Sequence, residues 1–102
     1  SALHCVAVNR MGMALATGRL LQHAPGVARI GRMAVKKSMR GSDMGAQVLQ
    51  ALMAAARERG DRSVLLHAQC SAEGFYKRAG FVPQGPVFEE AGIAHIEMVC
   101  AL

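Results

Sequence analysis

Tryptophan is absent from this 102-residue chain, tyrosine occurs once and phenylalanine three times. With aromatics at 4%, there is little from which to build a surface that stacks single-stranded nucleic acid. Cysteine is scarce and odd in number. Cys5, Cys70 and Cys100 are widely spaced and form no C-x-x-C pair, which argues against a zinc knuckle or a disulfide scaffold and for a reducing, cytoplasmic compartment. His4, His23 and His95 show no metal-ligand spacing, so no metal is expected. No apolar run approaches the ~20 residues that span a bilayer, and the opening SALHCVAV lacks the basic flank of a signal peptide. Neither a membrane nor a nucleic-acid partner is expected.

What is present is a core and a local charge. The chain is 52% hydrophobic and 19% charged, which excludes disorder and suits one small domain over residues 1–102. Twelve Lys and Arg face seven Asp and Glu, a net charge of +5. Arg29, Arg32, Lys36, Lys37 and Arg40 carry five of those positives with no acid between them, and without them the chain is balanced. The excess is local, so it reads either as a site for a specific anion or as a solvated basic face.

Turn signals divide the chain into short elements. Leu3–Val8 and Met13–Leu21 flank Asn9-Arg10-Met11-Gly12 and read as a hairpin. Val27–Val35 follows Ala24-Pro25-Gly26; its alternation puts Val27, Arg29, Gly31, Met33 and Val35 on one face, with Gly31 marking a bulge or a close approach. Met44–Arg59 is rich in helix formers, and Val48, Leu49, Leu52, Met53 and Ala56 form an apolar stripe. Asp43 or Ser42 is placed to cap its start and Gly60 to stop it. Ser63–Gln69 is a strand, Ser71 caps a shorter helix that Gly80 ends, and Phe81–Phe88 and Ala94–Ala101 are strands separated by Glu89-Glu90-Ala91-Gly92. The order βββαβαββ predicts an α+β fold with a mixed, largely antiparallel sheet and a crossover helix between parallel strands.

Arg40-Gly41-Ser42-Asp43-Met44-Gly45 stands where a strand hands over to the long helix. Glycines permit close backbone approach, first-turn N–H groups point outward, and Arg40 offers a forked donor. That chemistry suits a pyrophosphate; a tight turn with a helix cap accounts for the same residues. Neither G-K-[ST] nor G-x-G-x-x-G is present.

Met33-Ala34-Val35, four residues, then Arg40-Gly41-x-x-Met44-Gly45 and a long helix resembles the acetyl-CoA motif of the GNAT acetyltransferases. Ala72-Glu73-Gly74-Phe75-Tyr76-Lys77-Arg78-Ala79-Gly80-Phe81 looks like the family's A-x-x-F-Y-x-x-x-G-F motif, and Phe88 to Met98 resembles the F-x-E-x-G-I-x-H-x-x-M tail of a small bacterial branch. The resemblance implies an N-acetyltransferase that uses acetyl-CoA and an amine. Met33, Ala34 and Val35 would hold the pantetheine, and Arg40, Gly41, Ser42, Asp43, Met44, Gly45 and Ala46 the pyrophosphate. Tyr76 would protonate the departing thiolate, unless it is an ordinary packing aromatic beside Phe75. Glu90 is a candidate for the acceptor side, and His95 for a base or an acceptor-site contact, with a structural role for His95 equally open. His67 reads as structural, and Cys70 has no paired base. The family's general-base position falls near Arg29, which cannot accept a proton, so no base is assigned.

The family's opening strand and helices have no counterpart before the first hairpin. The chain is therefore expected to be N-terminally incomplete, with an exposed sheet edge that a homodimer or a partner segment would cover. The alternative function is a non-catalytic CoA-binding or interaction module on the same fold.

Overall fold

A computed structural model describes residues 3–8, 11–36 and 43–102. Six strands form one sheet in the order β1-β2-β3-β4-β6-β5. They are β1 (Leu3–Val8), β2 (Ala14–Ala24), β3 (Val27–Val35), β4 (Ser63–Gln69), β5 (Val82–Glu90) and β6 (Ile93–Ala101). The helices are α1 (Met44–Glu58) and α2 (Glu73–Arg78). Among these strands β3 and β4 run parallel, as a β-α-β crossover requires, and the other pairs are antiparallel. The α+β expectation and its element order hold.

Both helices cover one face of the sheet. Val48, Leu49, Leu52, Met53 and Ala56 of α1 are buried in one cluster with Leu20, Ala28, Ile30, Val64, Leu66 and Met98, and Tyr76 and Phe81 continue it beneath α2. That apolar stripe anchors α1 to the sheet, since each aliphatic side chain taken from water contributes roughly 1.5–3 kcal/mol. Among the described residues no helix is long and apolar enough to cross a membrane.

The two glycines expected to stop the helices do so by one mechanism. Gly60 has φ +91 and donates to the carbonyl of Arg57, while Asp61 donates to that of Ala56. Gly80 has φ +100 and donates to Lys77, while Phe81 donates to Tyr76. Each is a Schellman stop, in which a left-handed glycine turns two N–H groups back onto the last open carbonyls.

Four local expectations are corrected. Ser71 does not cap the second helix: it lies in a 3-10 turn, Cys70–Ala72, and Ala72 stands at the helix start without a side-chain cap. Asp43 is the first residue of the α1 cap but makes no side-chain capping bond, and Ser42 lies outside the described residues. The bulge in β3 falls at Arg32, whose φ is +54, rather than at Gly31, and the pairing with β2 shifts between Thr17 and Arg19. An extra residue at a bulge exchanges the faces beyond it. Ala28 and Ile30 therefore face the helices before the bulge, and Met33 and Val35 after it, so the single alternation expected along β3 is broken. Finally, the last hairpin turns on Ala91 and Gly92 alone, both at positive φ (53 and 77). This is the mirror-image turn that matches strand twist, and it brings Glu89 and Glu90 into β5, opposite Ala94 and Ile93.

Candidate active site

The pairing of β3 with β4 runs from Val27 and Ser63 to Ile30 and Leu66 and then stops. Beyond it β3 stays paired with β2 as far as Val35, and β4 stays paired with β6 as far as His95. Two parallel strands thus part at their carboxyl ends, where crevices in such sheets collect ligands. The cleft contains two adjoining cavities. One, of about 360 Å³, is lined among others by Gly31, Arg32, His67, Tyr76, Glu90 and His95. The other, of about 340 Å³, is lined by Met33, Ala34, Val35, Ala72, Phe75 and Tyr76. Met33, Ala72 and Tyr76 border both.

Tyr76 stands at the junction because the Schellman stop holds it there. Its backbone carbonyl accepts from both Ala79 (3.0 Å) and Phe81 (3.1 Å). Its ring meets those of Phe75 and Phe81 edge to face, with centroids 5.0 and 5.9 Å away. Ring and backbone are therefore fixed, whereas the hydroxyl has no hydrogen-bond partner among the described residues. Burial pushes the Tyr76 phenol above its ordinary value, so it keeps its proton at neutral pH.

The two cleft histidines differ in what their rings have left to offer. Arg29 Nη2 lies 3.2 Å from His67 Nδ1, and His67 Nε2 lies 3.4 Å from Glu97 Oε1. A guanidinium can only donate, so Nδ1 accepts and Nε2 carries its proton toward Glu97. Both ring atoms are engaged. Gln84 donates to the same carboxylate at 2.8 Å, and with His67 it holds the Glu97 carboxyl below its ordinary value. His95 is 8% exposed, and its Nδ1 lies 2.8 Å from the carbonyl oxygen of Ile93. A carbonyl only accepts, so Nδ1 donates, and Nε2 is the ring nitrogen left toward the cleft, 3.9 Å from Glu90 Oε2. Phe88 stacks on the ring at 5.9 Å. Sequence proximity did not reveal this pairing, because it depends on the two-residue turn.

On the anion side, Arg40, Gly41 and Ser42 lie outside the described residues. Asp43, Met44, Gly45 and Ala46 form the cap and first turn of α1; Asp43 at the cap is acidic, and the first turn inside the helix holds no acidic side chain. Asp43 makes no side-chain capping bond to that turn, and the positive end of the helix dipole there suits an anion. Gly45 has a packing reason of its own: a Cβ there would sit 3.0 Å from Val35 Cγ2 and 3.4 Å from Phe75 Cζ. Its smallness seats α1 against β3 and α2. No group of three His, Cys, Asp or Glu side chains gathers to hold a metal among the described residues.

The sequence pattern of the acetyltransferase (GNAT) domain matches residues 2–102. The chain is 39% identical over 70 residues to protein ElaA of Escherichia coli, which takes in 68% of this chain and 46% of that protein. It is 36% identical over 75 residues to the uncharacterized N-acetyltransferase YjcF of Bacillus subtilis, across 72% of this chain and 54% of that one. The chain thus spans about half the length of these relatives. Among solved structures, an acyl-CoA N-acyltransferase from Pseudomonas aeruginosa superposes with a TM-score of 0.84 at 36% identity, over 99% of this chain and 69% of that one. Escherichia coli ElaA superposes with a TM-score of 0.86 at 28% identity, over 97% and 68%.

Proposed function

Since the chain belongs to the GNAT acetyltransferase domain family, we propose that residues 1–102 form one acetyl-CoA-binding domain that transfers acetyl to an amine by direct attack. The observation that carries this reading is the parting of β3 from β4 with Tyr76 and His95 on the walls of one cleft.

In this mechanism the pantetheine lies along Met33, Ala34 and Val35. Arg40, Gly41 and Ser42, with the first-turn N–H groups from Asp43 to Ala46, hold the pyrophosphate. His95 Nε2 takes the proton from the attacking amine, and the resulting imidazolium is stabilised by Glu90 beside it. The nitrogen forms its bond to the thioester carbon. The charge that develops on the carbonyl oxygen is met by N–H groups that the bulge at Arg32 releases from the ladder. The carbon–sulfur bond then breaks, and the Tyr76 hydroxyl returns a proton to the sulfur. His67 serves by orientation, since both of its ring nitrogens are already paired.

The test is calorimetric titration of the chain with acetyl-CoA, followed by a thiol-release screen against primary amines. Arg40→Ala is expected to weaken acetyl-CoA binding roughly tenfold to a hundredfold, the loss of one charge-assisted contact. His95→Gln is expected to depress kcat with little change in acetyl-CoA affinity. Acetyl-CoA binding without turnover on any amine would favour the non-catalytic module instead. Absence of binding would remove both readings.

A further inference from the structure

A third cavity opens on the helix-free face of the sheet. About 280 Å³ in volume, it is lined by His4, Thr17, Arg19 and Arg32 among others, and no carboxylate of the described residues contributes to its wall. The strand register explains the crowding of charge. His4 on β1 is directly opposite Arg19 on β2, and Arg19 is directly opposite Gly31 on β3, the residue before Arg32. Arg19 Nε is shielded from solvent and has no hydrogen-bond partner, which makes it the orphan among the buried side-chain nitrogens and oxygens of the described residues. A buried donor without an acceptor is costly, and two guanidiniums on one cavity add repulsion. Arg32 adds the strain of a positive φ (54) in a residue that is not glycine. One oxyanion accepting from Arg19 would relieve the orphan and the repulsion together.

The position of this cavity says what such an anion belongs to. Arg32 also lines the cleft that contains Tyr76, Glu90 and His95. One continuous surface therefore offers a carboxylate and a histidine on one side and guanidiniums on the other. The first-turn N–H groups assigned to the pyrophosphate belong to α1, which covers the opposite face of the sheet.

We propose that Arg19 and Arg32 form an oxyanion subsite for the acceptor, so that the preferred amine carries an acidic group at its far end. The proposal rests on the acyl-transfer reading for what the anion is attached to, while the subsite itself can be tested without turnover.

Acetyl transfer is measured for acid and amide pairs: 4-aminobutanoate against 4-aminobutanamide, 6-aminohexanoate against its amide, and O-phosphoethanolamine against ethanolamine. The anionic member is expected to have the higher kcat/KM by roughly tenfold or more, the effect of one hydrogen bond to a charged group. The first two pairs against the third separate a carboxylate from a phosphate. Arg19→Met is expected to abolish the preference without moving the acetyl-CoA dissociation constant, and Arg32→Met to abolish the preference as well. Arg19→Lys, which keeps the charge and loses the fork, serves if the methionine variant does not fold, and is expected to lose most of the preference. In parallel, the Arg19 Nε–H resonance is followed by NMR while acetate, inorganic phosphate or 4-aminobutanoate is added; a saturable shift that 4-aminobutanamide does not produce supports the subsite. Equal kcat/KM within all three pairs, a preference that survives both Arg substitutions, or an Arg19 resonance that none of these anions moves would each overturn the proposal. If acetyl-CoA does not bind at all, the acyl-transfer reading falls, and the NMR arm alone decides whether the oxyanion subsite exists.

Discussion

Tyr76→Phe removes one oxygen and nothing else, which makes it the sharpest test of the mechanism. The hydroxyl bonds to no described residue, and the ring contacts to Phe75 and Phe81 survive the change. Stability should therefore stay within about 1 kcal/mol of the parent, as for a neutral hydrogen-bonding group that was unpaired to begin with. Catalysis should respond very differently. Loss of a general acid lowers kcat by ~10²–10⁴-fold, or about 2.7–5.4 kcal/mol of transition-state stabilisation at about 1.36 kcal/mol per tenfold. The KM for acetyl-CoA should change little, because the proton is needed only as the carbon–sulfur bond breaks. Thiol release under saturating acetyl-CoA, with an amine the parent accepts, reads kcat directly. A donor thioester whose thiol is more acidic than that of CoA needs less help and should narrow the gap between the two proteins. Tyr76→Ala is the contrasting control: it removes a ring from the core, which costs about 3–5 kcal/mol, so its lost activity would be accompanied by lost stability. If Tyr76→Phe turns over at the parent rate, Tyr76 is a packing residue and the proton comes from elsewhere.

Two further outcomes follow from the packing and the titration. A Cβ on Gly18 would approach Met33 Sδ to 2.6 Å, Leu52 Cδ1 to 2.7 Å and Val48 Cγ1 to 3.0 Å; Gly18→Ala should then cost about 1–3 kcal/mol of overpacking and lower Tm by about 4–20 °C in calorimetry, and an unchanged Tm would mean that α1 is not seated as described. Because burial raises the Tyr76 phenol above its ordinary value, the folded state retains that proton longer than the unfolded chain does. Its contribution is complete below about pH 10 and is lost as pH climbs from there through the folded value, so urea midpoints of the parent should fall relative to those of Tyr76→Phe only above about pH 10; parallel curves for the two proteins would contradict the burial.

Much of the architecture is written in local chemistry. The apolar stripe from Val48 to Ala56, the stops at Gly60 and Gly80, and the turn-bounded strands each follow from neighbours within a few residues, where propensity and sterics act. The F-Y-x-x-x-G-F spacing likewise determines how Tyr76 is held, because the Schellman geometry ties residue 76 to residues 79 and 81 through backbone bonds. The site is another matter. That β3 and β4 part after Ile30 and Leu66 depends on each strand keeping a partner on its other side, which no stretch of either sequence records. The faces of Met33 and Val35 depend on one bulged residue, and the closeness of Glu90 to His95 on a turn of two residues rather than four. Arg29, Arg32 and Arg19 look alike as sequence. Only the register across the sheet decides that Arg29 is spent on His67, that Arg32 borders the cleft, and that Arg19 is left with a shielded nitrogen and no partner. Local sequence sets the elements because their energies are short-ranged; the chemistry lies in contacts between strands far apart in the chain, which only closure of the sheet brings together.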